Sequence, residues 1–164
     1  MAEQKAEKEK VTLVVFSDAL DRAFAALGFG VIAASMGMEV SVVFTFWGLN
    51  IIKKDGGGIK SKGLMRKMLN RINRGGSKRL KFSKFNMFGL GTWLMKRLMK
   101  ETKMPSVDNL IALAHQMGVK LIACTSSREF MGADKDPFRS EVTDVVGTAT
   151  WLGKACQSKV TLFI

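Results

Sequence analysis

Apolar residues in this chain fall into short continuous runs, separated by longer segments in which they recur at helical spacing. Five runs rich in Val, Ile, Leu and Phe are typical of strands whose two faces are both buried. These runs lie at 11–17, 37–47, 119–125, within 141–149 and at 159–164. The segments that we expect to be helices are 19–36, 105–118, 126–132 and 149–158.

Strands and helices alternate along the chain, which favours parallel strands joined by right-handed crossovers. We therefore expect an α/β fold, a three-layer α/β/α sandwich with a five-stranded parallel sheet. With 164 residues, the simplest organisation is a single domain over 1–164 whose first ten residues, 1–10, form a charged tail. Ser17 and Asp18 are expected to cap the first helix, and Ser106 to start the helix at 105–118.

A strongly basic segment interrupts this alternation. Residues 52–104 contain 16 of the 26 Lys and Arg residues and two acidic residues, a net charge of +14. The whole chain carries +12, so everything outside the segment sums to −2. Within it, 62–74 and 87–100 repeat an amphipathic pattern, which predicts an inserted helical hairpin. The second repeat sets Trp93, Leu94, Leu98 and Met99 opposite Lys96, Arg97 and Lys100.

This basic hairpin has several interpretations. Its apolar faces could pack on the domain or on a neighbouring subunit, or lie on an anionic membrane surface, where basic residues are attracted electrostatically. It could also dock an acidic protein, since methionine makes a surface adaptable. Specific binding of nucleic acid is not expected, because no recognised motif accompanies the charge.

Composition narrows the class of protein further. Two cysteines, at 124 and 156, make neither a disulfide framework nor a zinc site, so we expect free thiols and no metal or other cofactor. The charged N-terminus has no apolar region typical of a secretory signal. The longest nearly uncharged stretch of the basic segment is about half the ~20 residues that a spanning helix needs. The expected location is the cytoplasm.

Cys124 is the candidate functional residue. It ends the third predicted strand, at the edge of a parallel sheet where ligands bind. The backbone N–H groups of Ser126, Ser127 and Arg128 begin the next helix, and their partial positive charge favours a thiolate. The Arg128 side chain would add charge if it folds back. The alternative is that Cys124 is a small apolar core residue and that the hydroxyls serve only as caps.

Cys156 lies in the last predicted helix. We interpret it as a core residue beside Leu152 and Ala155. The alternative interpretation is a second relay thiol or a resolving thiol.

Several short motifs resemble the DsrE/DsrF/DsrH-like family. They are "TFWGLN" at 45–50 followed by lysines, "MPSV" at 104–107, "LIAC" at 121–124, "FMG" at 130–132 and "TLFI" at 161–164. The resemblance covers roughly 11–50 and 104–164, and it is to the branch described as peroxiredoxin-like or as a second DsrE type. No thioredoxin-like pattern supports the peroxiredoxin label.

The resemblance implies a sulfur-relay protein, usually a homo-oligomer. In the family, sulfur is carried as a cysteine persulfide and is exchanged with a TusA-type carrier or a rhodanese; the corresponding cysteine here is Cys124. The protein would be a sulfurtransferase-like thiol carrier, placed at the inner membrane surface if 52–104 binds lipid. The alternative is a non-catalytic oligomeric scaffold whose basic hairpin binds a membrane or an acidic partner.

Overall fold

The computed structural model describes residues 8–54, 75–84, 89–130 and 138–164. The strands are β1 (Lys10–Val15), β2 (Glu39–Phe44), β3 (Lys120–Cys124), β4 (Asp144–Val146) and β5 (Val160–Phe163). The α-helices are α1 (Leu20–Ser35), α2 (Leu90–Glu101), α3 (Val107–Gln116), α4 (Thr125–Phe130) and α5 (Thr148–Cys156). Two 3₁₀ turns lie at Phe46–Asn50 and Ser77–Arg79.

The five strands form one parallel sheet in the order β4-β3-β2-β1-β5. Helices cover both of its sides, so the expected α/β sandwich with a five-stranded parallel sheet is confirmed. The order places β1, β2 and β3 in the middle, where their residues are almost all buried. This explains why the central runs are apolar at every position instead of alternating.

The two faces of the sheet carry cores of different size. On one face α1 and α3 pack against each other and over a large hydrocarbon core that includes Leu13, Phe44 and Leu121. On the other face the buried cluster is small. It consists of Val14, Val43, Ile122, Cys124 and Trp151. Trp151 belongs to α5, so α5 is the helix that covers the cysteine side of the sheet.

Some element bounds differ from the sequence prediction. β2 ends at Phe44, earlier than predicted, because Phe46 adopts a positive φ of 50° and starts a 3₁₀ turn. This turn is pressed against the end of β1: a Cβ at Gly48 would lie 2.1 Å from the Val15 carbonyl oxygen. The glycine of the "TFWGLN" motif is therefore required by close approach of two backbones.

The predicted helix caps are right for one helix and wrong for another. Ser106 caps α3 by accepting a hydrogen bond from the Asn109 N–H at 3.1 Å. The N-cap of α1 is Ala19, with no side-chain cap. Ser17 instead accepts from the Ala19 N–H, and Asp18 accepts from the Asn50 side chain at 2.9 Å, so both residues brace the loop before the helix.

The second helix of the predicted basic hairpin is present as α2, whereas the first, at 62–74, lies outside the described residues. One side of α2 contacts the domain: Thr92 is buried and Met99 packs against the large core. The exposed side carries Leu90, Trp93, Leu94 and Leu98 together with Arg97 and Lys100.

Helices of the described ranges are too short or too polar to cross a lipid bilayer.

Candidate functional site

Cys124 is the last residue of β3, and α4 begins at the next residue. The side chain is 1% exposed and lies in the small cluster on the α5 side of the sheet. The chain turns so tightly here that the backbone N–H of Ser127, in the first turn of α4, is directed at the sulfur. A strand end followed at once by a helix start therefore sets a backbone donor against a buried thiol.

A second donor comes from the neighbouring strand. β4 lies beside β3, with Val146 opposite Cys124, so the residues that follow β4 reach the same edge of the sheet. Thr148, the first residue of α5, places its Oγ1 3.5 Å from the Cys124 Sγ. The same hydroxyl is 3.3 Å from the Ser126 Oγ. Here Thr148 donates to the Ser126 oxygen, and its single proton can be donated to the sulfur instead when the sulfur is an anion.

The electrostatics of the thiol follow from these contacts. Burial raises the pKa of the Cys124 thiol, because it penalises the thiolate. The Ser127 backbone N–H and the hydroxyls of Thr148 and Ser127 act in the opposite direction and prevail. The resulting pKa is about 7, compared with an ordinary 9.0. About half of the thiol is therefore ionised at neutral pH, despite its burial.

Trp151 contributes the third side chain of the site. It lies one turn after Thr148 on α5, is 9% exposed, and is in the same cluster as Cys124. Its indole also lowers the pKa of the thiol. Among the described residues, however, no acceptor meets hydrogen-bond geometry with the buried Nε1. The indole N–H is thus close enough to stabilise the thiolate but does not form a complete hydrogen bond with it.

The loop after β2 holds α4 in place. Thr45 and Ser127 share a hydrogen bond of 2.7 Å between their hydroxyl oxygens. The aromatic ring of Phe46 then packs on Phe130 at the end of α4, with 5.3 Å between ring centroids. The position of the Ser127 N–H, and with it the ionisation of the thiol, therefore depends on the "TFWGLN" segment.

Aromatic side chains form a continuous strip along this edge of the sheet. We use the name aromatic strip for Phe16, Phe46, Trp47, Phe130 and Phe163. Phe46 stacks on Phe16 at 5.2 Å, Phe16 contacts Phe163 at 5.9 Å, and Trp47 meets Phe46 edge-on at 6.1 Å. Phe130 and Phe163 are 73% and 69% exposed. An exposed aromatic surface of this extent is typical of an interaction site.

The structure brings together only some of the candidate residues. Ser127 interacts with the Cys124 sulfur directly. Ser126 is connected to it through a hydrogen bond with Thr148. Arg128 is half-buried, and among the described residues its side chain forms no hydrogen bond with Cys124 and no ion pair. Three or more metal-ligating side chains do not cluster anywhere in the part of the chain that the structure describes.

Cys156 is exposed, so the interpretation of it as a core residue is wrong. The buried positions of α5 are Trp151 and Ala155, and the next residue along the helix turns away from the sheet. Both cysteines are free thiols. Cys156 ends α5, whereas Thr148 begins it, so the two thiols are separated by roughly 12 Å of helix at 1.5 Å per residue.

Thr148 and Trp151 are site residues that the sequence interpretation missed. The sequence does contain a signal for them, because they lie in the first turn of the helix after the fourth strand. In a parallel sheet, the first residues of every such helix lie at the same edge, the carboxyl edge of the strands. Using this signal requires knowing that β4 lies next to β3. The spacing of residues does not supply that order.

The fold and the site together define a class: an α/β protein with a buried, partly ionised thiol at the carboxyl end of a parallel strand. The sequence model of the DsrE/DsrF/DrsH-like family matches residues 7–163, and the chain belongs to that family. It is 32% identical to the uncharacterized protein YrkE of Bacillus subtilis, over 96% of this chain and 98% of that protein. It is 28% identical to the sulfur carrier protein DsrE2 of Allochromatium vinosum, over 96% and 99% of the two chains.

Proposed function

We propose that this protein is a sulfur-relay protein that carries sulfur as a persulfide on Cys124. Family membership and similarity to a protein named as a sulfur carrier support a sulfur-relay role in general. The observation that supports Cys124 as the carrier is its surroundings: a buried thiol with a pKa of about 7, approached by donors from two helices. Those donors favour an anionic sulfur, which is the reactive form of cysteine.

The chemistry is a thiol–persulfide exchange. The Cys124 thiolate attacks the outer sulfur of a donor persulfide and forms a new S–S bond. The bond between the two donor sulfurs breaks, and its electron pair leaves with the donor as a thiolate. An acceptor thiolate then attacks the outer sulfur on Cys124 in the same way and restores the starting thiolate. No net oxidation or reduction occurs, so the exchange is balanced without a further reactant.

The donor must reach a sulfur that is almost fully buried. Thr148, whose Oγ1 lies 3.5 Å from the sulfur, is exposed, and so is Ser126, which contacts Thr148. The sulfur is therefore one side-chain layer below the surface. Rotation of the Thr148 side chain opens the approach, and exposed side chains rotate within nanoseconds.

The test is sulfur loading followed by mass spectrometry. The protein is treated with inorganic polysulfide, and the intact mass and the modified peptide are determined. Cys124→Ser should remove the added sulfur atom completely, whereas the matched variant Cys156→Ser should load like the wild type. Loading that survives the first change and disappears with the second would contradict the proposal.

The proposed partner is a protein that gives or takes sulfur through its own cysteine, a TusA-type carrier or a rhodanese. The support for a protein partner is the aromatic strip, because it lies at the same edge of the sheet as Cys124 and is exposed. Aromatic side chains dominate the binding energy of protein interfaces. A partner seated there can present a cysteine to the site.

Self-association is proposed on the outer side of α1. Phe29, Ile32 and Met36 recur there at intervals of three and four residues and are exposed, Met36 by 71%. An uncharged helix face favours contact between copies of a chain whose net charge is +12. We expect Ile32→Glu to reduce the molar mass in light scattering, and the neighbouring exposed control Ser35→Glu to leave it unchanged. Equal masses for all three proteins would contradict this contact.

Peripheral binding of the cytoplasmic membrane surface is proposed for α2. Its exposed Leu90, Trp93, Leu94 and Leu98 adjoin Arg97 and Lys100, an arrangement that suits the interface of an anionic bilayer. Arg97 also lies over the Trp93 ring, 5.8 Å from its centroid. The protein should sediment with vesicles that contain anionic lipid and not with neutral ones, and Leu94→Ser should weaken this binding. Equal sedimentation with both kinds of vesicle, or with neither, would contradict the proposal.

A further inference from the structure

The indole N–H of Trp151 is a polar group whose partner is missing among the described residues. The Nε1 is buried, and it is not within hydrogen-bond geometry of any described acceptor. Leaving a buried donor unpaired costs about 1–3 kcal/mol, and folded proteins rarely do so. Such a group next to a reactive thiol suggests an acceptor that is present only at some stage of the reaction.

The position of the indole limits what that acceptor can be. Trp151 shares the small buried cluster with Cys124 and stabilises its thiolate, so the N–H faces the region of the sulfur. The Ser127 N–H and the Thr148 hydroxyl already approach that sulfur from two other sides. An additional acceptor atom bonded to Sγ would come into the same cluster as the indole N–H, whose hydrogen bond is not yet formed.

A persulfide supplies such an atom. Its second sulfur lies about 2.05 Å beyond the first, so a persulfide places an acceptor atom where the thiolate alone has none. The terminal sulfur of a persulfide carries the negative charge when ionised, and hydrogen bonds to charged acceptors are stronger than those between neutral groups. Val14, Val43 and Ile122 pack in the same buried cluster as Cys124, so the sulfur has hydrocarbon neighbours on the side of the sheet.

We infer that Trp151 is the residue that binds the terminal sulfur of the Cys124 persulfide, through its indole Nε1–H. This inference rests on the proposed function, since it assigns a role in the loaded state of the same site. It also explains why the residue that packs on the thiol is a tryptophan instead of a leucine or phenylalanine. The ring fills the cluster, and the N–H can bind the persulfide anion.

The test uses the three tryptophans of the chain as internal references. Uniformly ¹⁵N-labelled protein is loaded with inorganic polysulfide, and the indole N–H resonances are recorded before and after loading, with assignment by Trp47→Phe and Trp93→Phe. The Trp151 indole proton should move downfield on loading, while the other two resonances stay in place. In Cys124→Ser the same treatment should leave all three unchanged.

A second readout is kinetic. Trp151→Phe keeps an aromatic ring in the cluster but removes the donor, so the loaded protein should lose its sulfur to a small acceptor thiol about tenfold faster, as expected for one hydrogen bond to a charged acceptor. Leu152→Ala, an exposed change at the next position, serves as the control. If Trp151→Phe does not fold, the resonance shift of the wild-type protein still decides the question.

The outcomes separate the inference from the proposed function. A mass increase on Cys124 together with an unmoved Trp151 resonance would overturn the inference and leave the sulfur-relay proposal standing. The absence of any mass increase would overturn both.

Discussion

The two cysteines of this protein lie at opposite ends of one helix and have opposite surroundings. Cys124 is buried beside the start of α5, where Thr148 and the Ser127 N–H approach its sulfur. Cys156 is exposed at the end of the same helix, with lysines nearby and, within the described ranges, no hydrogen bond to its sulfur. If exposure were the only criterion, Cys156 would be the expected reactive thiol. The hydrogen-bond donors around its sulfur make Cys124 the better candidate.

The direction of the helices explains this difference. In a parallel α/β sheet, helix starts collect at the carboxyl edge of the strands, and their free N–H groups favour an anion there. Helix ends collect at the opposite edge, where free carbonyl groups disfavour one. Cys124 and Cys156 occupy these two edges. The comparison teaches that burial does not keep a thiol protonated when the burial is among backbone and hydroxyl donors.

The largest expected effect that would sharpen this comparison is the contribution of Cys124 to the pH dependence of the free energy of unfolding. The pKa of Cys124 is lowered from 9.0 to about 7 in the folded protein, so folding favours the thiolate. The contribution to the free energy of unfolding is therefore absent below about pH 7, grows between pH 7 and 9, and is complete above the unfolded pKa. Its full size is about 2–3 kcal/mol, at 1.36 kcal/mol for each unit of pKa.

The measurement is urea unfolding at several pH values in a Cys156→Ser background, with and without Cys124→Ser. The difference in free energy of unfolding between the two proteins should increase with pH over that window, because all other titrating groups cancel. A difference that stays flat with pH would refute a thiolate stabilised by folding.

The next effect concerns the aromatic strip, which has no counterpart beside Cys156. Phe163→Ser removes an exposed anchor of the strip whose ring contact is with Phe16 instead of with α4. Transfer of sulfur from a rhodanese loaded with persulfide should become about tenfold slower, since truncation of an interface anchor typically costs more than 1 kcal/mol. Loading by inorganic polysulfide should be unchanged. A matched control is Leu152→Ser, an equally simple truncation of an exposed apolar residue on α5. If both changes slow the transfer from rhodanese equally, the aromatic strip does not bind the partner.

Most of the fold follows from the sequence because the strands are continuous apolar runs. The position of Cys124 could also be predicted, since it depends on one strand and the helix directly after it. Thr148 and Trp151 could not, because their place at the thiol depends on β4 pairing with β3, which is a contact between segments distant in the chain.

The buried sides of two helices could not be predicted, for one common reason. For Cys156 and for α2, the apolar pattern identified a helix but not the side that packs on the domain. In α5 the buried side is fixed by Trp151 and Ala155, which leaves Cys156 outside. In α2, Thr92 and Met99 face the domain although Trp93 and Leu94 are more apolar. Periodicity gives a helix two candidate faces, and only the surrounding elements decide between them.

The smallest expected effect comes from the removal of a single hydrogen-bond donor to the Cys124 sulfur. Thr148→Val keeps the shape of the side chain but removes the hydroxyl 3.5 Å from Sγ. The pKa of Cys124 should rise by about half a unit, because one hydrogen bond contributes roughly 0.5–1.5 kcal/mol and the Ser127 N–H remains. The rate of iodoacetamide alkylation against pH, in a Cys156→Ser background, gives this pKa directly. Thr150→Val changes an exposed threonine two positions along the same helix and should leave the profile in place. If both variants alkylate with the wild-type midpoint, the Thr148 hydroxyl does not stabilise the thiolate, and the backbone N–H of α4 is left as its principal donor.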